Sequence, residues 1–160
     1  MIREIYIHDE RAARRVLALQ LRSYAVEARF IGTTEIPPLR DTVDALRRCG
    51  ETFYGYFDGE AFTAVVSYKI RGPWLDIHRL FVSPDHLRKG RASALLRFVE
   101  TADIGVERIT VSTGSKNTPA GKLYIAHGFV STGEFEASPG LFVTRFEKTV
   151  RRLAAPSDGC

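Results

Sequence analysis

The sequence predicts an α/β sandwich: one mixed, twisted, mainly antiparallel sheet of six to seven strands with helices on both faces. Three observations lead there. An Asp58-Gly59 pair separates two β-rich runs, the pattern of a tight hairpin. A third β-rich run, Trp74 to Val82, is closed by Ser83-Pro84 and followed by Ala92, Leu95, Leu96, Val99 and Ala102 at helical spacing. A short β-branched segment, Val106 to Ser112, comes next, so a parallel crossover joins an antiparallel meander.

The elements follow in order. Asp9 is a good N-cap for a first helix carrying Val16, Leu17, Leu21 and Tyr24, with Arg11, Arg14, Arg15 and Arg22 facing water. Pro37-Pro38 forbids helix, and a second helix runs from Asp41 to Arg48 until Gly50 stops it. Strands Thr52 to Phe57 and Ala61 to Ile70 form the hairpin. Arg71-Gly72-Pro73 turns the chain into the strand Trp74 to Val82. Its side chains alternate, so Asp76, His78, Leu80 and Val82 are expected on one face and Ile77, Arg79 and Phe81 on the other. A long helix starts near Lys89. Thr118 as N-cap with Pro119 at the first helical position opens another helix, which ends at His127 before Gly128. Strands Phe129 to Phe135 and Leu141 to Lys148 close the fold around Ser138-Pro139-Gly140.

The chain has 160 residues, enough for one core, and we expect one domain over 1–150. The polar tail, 151–160, is expected to fray. No apolar run approaches the ~20 residues of a membrane-spanning helix. The start Met1-Ile2-Arg3-Glu4 has no apolar leader, which points to the cytoplasm. Cys49 and Cys160 have no metal-ligand spacing around them and read as free thiols, so no metal is expected. A net charge of +4 favours an anionic ligand. The basic residues are dispersed, however, which argues against a nucleic-acid-binding domain.

The sharpest basic cluster is Arg88-Lys89-Gly90-Arg91, followed by Ala92 and Ser93, where a strand passes into a helix. First-turn amides have no partners within the helix and can hold phosphate. Gly90 lets the backbone approach a ligand closely. The Walker pattern fails because Gly121-Lys122 is followed by Leu123, and Gly-x-Gly-x-x-Gly, Gly-x-Ser-x-Gly and His-Glu-x-x-His are absent.

Two blocks in this order resemble the GCN5-related N-acetyltransferases (GNAT). One is Leu80-Phe81-Val82-x-Pro84 leading to Arg88-Lys89-Gly90-Arg91-Ala92-x-x-Leu95-Leu96. The other is Asn117, then Leu123-Tyr124 and His127-Gly128-Phe129. The resemblance covers roughly residues 53–148. One departure is Leu87, where the family has Gln or Arg. The resemblance implies acetyl-CoA as co-substrate, held by residues 88–93, by the backbone of Leu80, Phe81 and Val82, and by Asn117 and Tyr124. It implies an amine acceptor framed by about Tyr24 to Leu46 and Glu134 to Leu141, and Tyr124 as the acid that protonates the departing sulfur.

Transfer to an amine needs a base, because an ammonium has no lone pair. Asp76 lies fourteen residues before Gly90, the spacing of the basic glutamate in the histone-modifying branch of the family. His78 suits proton transfer near neutral pH. Glu27 is a third candidate, or a binding residue for a cationic acceptor. Glu27, Glu35, Asp41 and Asp44 give that region an acidic bias. A rival reading is a non-catalytic acyl-CoA sensor or scaffold. Assembly is left open, a homodimer being one option.

Overall fold

A computed structural model describes residues 1–32 and 37–150. Glu35 and the predicted tail lie outside them. The chain runs β1 (Ile2–Ile5), α1 (Glu10–Ile31), a 3₁₀ turn (Pro37–Arg40), α2 (Val43–Arg48), β2 (Thr52–Asp58), β3 (Ala61–Arg71) and β4 (Trp74–Val82). A second 3₁₀ turn (Pro84–His86) leads to α3 (Arg91–Val99), β5 (Arg108–Gly114), α4 (Thr118–Ala126), β6 (Val130–Ser138) and β7 (Leu141–Thr149). The seven strands form one sheet in the order β1-β2-β3-β4-β5-β7-β6. Only the β4–β5 pair is parallel.

Helices cover both faces. Val16 and Leu19 of α1 and Leu46 of α2 pack with Phe53, Val65 and Phe81. Leu95, Leu96 and Val99 of α3 and Tyr124 of α4 pack with Val66, Leu75, Ile77 and Val111 on the opposite face. No helix among the described residues is long and apolar enough to cross a membrane.

Several boundaries differ from expectation for identifiable reasons. β1 was not expected; it has only four residues and pairs antiparallel with β2. Pro37-Pro38 excludes α-helix yet opens a 3₁₀ turn, where a missing amide proton is tolerated. α2 starts at Val43 rather than Asp41, with Thr42 capping it by accepting from the Ala45 amide. The hairpin loop is Gly59-Glu60, with Asp58 paired to Ala61 and Gly59 at φ +68°. α3 starts at Arg91 and stops before Ala102. Asn117, not Thr118, caps α4 through its side-chain oxygen on the Ala120 amide at 3.3 Å.

The largest departure is inside β4. Ser67 pairs with Arg79 but Tyr68 pairs with Ile77, so His78 is an extra residue, a β-bulge. The bulge reverses the alternation beyond it. Leu80 and Val82 therefore pack on the α3 side with Leu75 and Ile77. Arg79 and Phe81 face α1 and α2, the side on which Asp76 and His78 also lie.

Arg79 ties that side together. Its guanidinium donates to both carboxylate oxygens of Glu51, to Asp41 and to the Gln20 side chain. Gln20 in turn donates to the Pro38 carbonyl. One cation thus links α1, the chain around Pro38, β2 and β4. Burial pushes the Glu51 carboxyl up, but hydrogen bonds from Arg79 and Ser67 and the charge of Arg79 outweigh it and hold the group below its ordinary value.

Arg79→Met leaves two carboxylates without their cation. We expect a loss of about 3 kcal/mol in urea unfolding; a loss near zero means the cluster does not hold these elements. A carboxyl depressed by folding stabilises above its unfolded value of about 4.3. This contribution is lost as pH falls below that value, and Arg79→Met should flatten the acid limb of the stability profile.

Candidate active site

The site begins with an opening in the sheet. β4 and β5 pair from Trp74–Arg108 to Ile77–Val111 and no further. Beyond that point β4 stays paired to β3 as far as Val82, and β5 stays paired to β7 as far as Gly114. The two parallel strands therefore spread into a V, and the β4 edge facing β5 has no partner strand from His78 to Val82. The bulge at His78 sits where the spreading starts.

A cleft of about 380 Å³ fills this V. Leu80, Phe81 and Val82 form one wall, and Asn117, Ala120 and Tyr124 another. Tyr24 and Glu27 of α1 reach it from the first helical layer. At its far end lie Leu87, Arg88, Gly90, Arg91, Ala92 and Ser93.

That end brings free helix amides and arginine side chains together. Gly90 is the N-cap of α3 at φ +77°, and no side chain caps the first turn. A Cβ at Gly90 would have nothing within 4 Å, so the approach to those amides is open. Arg88 also takes a left-handed conformation, φ +62°, which an arginine adopts only against strain. Arg91 is already engaged: it donates to Thr63 at 2.8 Å and Asp58 at 2.7 Å, pinning α3 to the β2–β3 hairpin. Ser93 meets the His127 ring nitrogen at 2.9 Å, linking α3 to the end of α4. Lys89 is exposed and does not line the cleft.

At the opposite end, Glu27 accepts from Thr113 at 3.2 Å, and the Asn117 side chain also bonds it. Burial raises its carboxyl above the ordinary range; these two hydrogen bonds oppose that without cancelling it. Asn117 thus serves two groups, its oxygen capping α4 and its side chain meeting Glu27. Tyr124 is buried against Phe129 and Phe146, 5.6 and 5.5 Å between ring centroids. Burial first, then the charge of Glu27, pushes its phenol far up, so it stays protonated near neutral pH. Leu141 of the last hairpin packs with Ala28 beside Tyr24 and Leu39, closing this end.

Asp76 and His78 are not brought to the cleft. Asp76 accepts from Thr110 at 2.6 Å and lies 3.2 Å from His78 Nε2; the His78 Nδ1 is 4.0 Å from Glu51. They belong to the paired part of the sheet and to the bulge. Asp41 is bound by Arg79 and Gln20, and Asp44 is exposed. Tyr24, which opens the segment expected to frame the acceptor, shares a face of α1 with Glu27 three residues on; sequence reasoning missed Thr113, which bonds Glu27.

A family model described as the acetyltransferase (GNAT) family matches residues 14–129. The chain belongs to the GNAT acetyltransferase family. The UPF0157 protein YqkA of Bacillus subtilis (strain 168) is 36% identical over 152 residues, which is 95% of this chain and 44% of that relative. This GNAT chain therefore spans less than half the length of the curated relative it matches. Among solved structures it is similar to the ribosomal-protein-S18-alanine N-acetyltransferase of Escherichia coli, with TM-score 0.75, 13% identity, and 99% and 97% of the two chains covered. YncA of Salmonella typhimurium, solved with acetyl-CoA, gives TM-score 0.67, 18% identity, and 100% and 98% coverage. PaiA N-acetyltransferase of Thermoplasma acidophilum, solved with coenzyme A, gives 0.68, 16%, and 91% and 96%. At these identities the likeness establishes the GNAT fold.

Arg88→Gly separates strain from charge. Relief of the left-handed arginine should raise stability by about 1 kcal/mol. Loss of a cation at the α3 start should weaken coenzyme A binding several-fold by calorimetry. Lower stability would show that Arg88 is held by contacts that outweigh its backbone strain.

Proposed function

We propose that this chain transfers an acetyl group from acetyl-CoA to a primary amine of a small molecule or peptide. The observation that carries this reading is the V between β4 and β5, with an unpaired strand edge along one side, uncapped helix amides at one end and a phenol and a carboxylate at the other.

Bound acetyl-CoA supplies the thioester carbon that the amine attacks. The first-turn amides of α3 and Arg88 hold the diphosphate. Leu87 contributes only its backbone there. The free edge of β4 at Leu80–Val82 gives the pantetheine arm an extended partner, as an added strand would have. Lys89 adds long-range attraction from the rim.

Glu27 takes the base role, because it lines the cleft and Asp76 and His78 do not. Its carboxylate attracts a cationic acceptor and accepts a proton from the amine nitrogen, directly or through water. Thr113 and Asn117 hold it in place. As the C–N bond forms and the C–S bond breaks, Tyr124 gives its phenolic proton to the sulfur. The nitrogen gives up its second proton to solvent, the proton on Glu27 leaves the same way, and Tyr124 recovers one from solvent.

A thiol-release assay with acetyl-CoA and a panel of small amines, amino acids and peptides tests this reading. We expect thiol only when an acceptor is present. Coenzyme A uptake with no release for any amine would favour the sensor or scaffold instead. Tyr124→Phe should lower kcat about a hundredfold with coenzyme A affinity unchanged; unaltered turnover removes Tyr124 from the mechanism.

Glu27 acts as the carboxylate, and its pKa is raised by burial. Activity should therefore fall as pH drops through a value above the ordinary ~4.3 of glutamate. Glu27→Gln should lower kcat/KM about a hundredfold and remove that acid limb. An unchanged limb would place the base elsewhere.

A further inference from the structure

His86 is a cleft residue that the mechanism above leaves unused. It ends the 3₁₀ turn Pro84–His86, between the last residue of β4 and the start of α3. Its amide donates to the Ser83 carbonyl at 2.9 Å, which fixes the backbone of the turn. The half-buried ring lines the cleft in company with Val82, Pro84, Arg88 and Gly90. Its Nδ1 is buried and has no hydrogen-bond partner. Such an orphan is uncommon in a folded protein and has to be accounted for.

The orphan decides where the ring keeps its proton. A buried N–H without an acceptor is rarer than a buried acceptor without a donor. The neutral ring therefore leaves a bare lone pair on Nδ1 and carries its proton on Nε2. Because Nδ1 is turned into the protein, Nε2 is the nitrogen left to face the cleft. Asp58 lies within electrostatic reach of the ring, but Arg91 and Thr63 already bond its carboxylate.

Side-chain donors are scarce at this end of the cleft. Leu87 has an apolar side chain, Arg91 is engaged with Asp58, and Lys89 does not line the cleft. We infer that His86 supplies a further donor, its Nε2–H bonding a diphosphate oxygen of coenzyme A. This rests on the acetyl-transfer reading given above, which lays the pantetheine arm along Leu80–Val82 and the diphosphate at the start of α3. His86 stands in the chain where those two stretches join. The buried Nδ1 holds the tautomer, so the nitrogen facing the anion is a donor; a lone pair there would repel a phosphate oxygen.

The test compares substitutions that place an amide at different reach. A glutamine side chain extends as far as Nε2 of the ring it replaces, an asparagine only as far as Nδ1. By calorimetry, His86→Phe and His86→Asn should each weaken coenzyme A binding about tenfold, and His86→Gln should stay within about threefold of the unaltered chain. Acetylpantetheine, which has no phosphate, should bind all of these chains alike. If the variants do not fold, ¹⁵N NMR of the unaltered chain decides. The His86 ring should carry its proton on Nε2, and that resonance should move with coenzyme A and stay in place with acetylpantetheine. Equal coenzyme A affinity in every variant, a proton on Nδ1, or an equal loss for acetylpantetheine would each overturn the inference while leaving acetyl transfer intact. Failure of the unaltered chain to take up coenzyme A would overturn both.

Discussion

Everything at this site depends on two parallel strands that stop pairing halfway along their length. β4 and β5 share four residue pairs and then follow different neighbours, β3 on one side and β7 on the other. A sheet normally satisfies its own amides. Here the split leaves a run of β4 backbone facing a cleft, which makes it a template for an extended ligand. The extra residue at His78 marks the start of the split and turns Leu80 and Val82 toward the α3 layer.

The opening persists because its two walls are held from outside. Arg79, one residue past the bulge, fastens β4 to β2, α1 and the chain before α2 through a buried cluster of charges. Arg91 fastens the start of α3 to the β2–β3 hairpin. On the far side, Ser93 and His127 join α3 to α4. The rigid parts surround the cleft, and the polar groups that line it include the uncapped start of α3, two phenols, the Asn117 amide, the His86 ring and one carboxylate. Burial raises both Tyr24 and Tyr124, and the charge of Glu27 adds to it at the inner end.

Much of the fold is legible in the sequence, since period-two runs, turn glycines and the helical stripe from Ala92 to Val99 survive folding unchanged. Less legible is whatever depends on one residue. Ile2–Ile5 is too short to show a period. Asn117 and Thr118 are both good caps, and only the packing of α4 chooses between them. A bulge leaves no trace in composition, so the alternation read along Trp74 to Val82 reverses at His78 without warning. The end proposed to hold phosphate stands out because it is local, a basic loop with Gly90 at a helix start. At the inner end Glu27, Asn117 and Tyr124 are legible one by one, but their meeting is not, because they come from elements far apart in sequence and come together only where the sheet opens.

A crystal structure grown with coenzyme A would settle whether the opening between β4 and β5 is a binding site. We expect the diphosphate on the amides at the start of α3, the pantetheine arm alongside Leu80–Val82, and the sulfur within hydrogen-bonding reach of the Tyr124 hydroxyl. Coenzyme A bound on another surface, with the V between the strands empty, would contradict this.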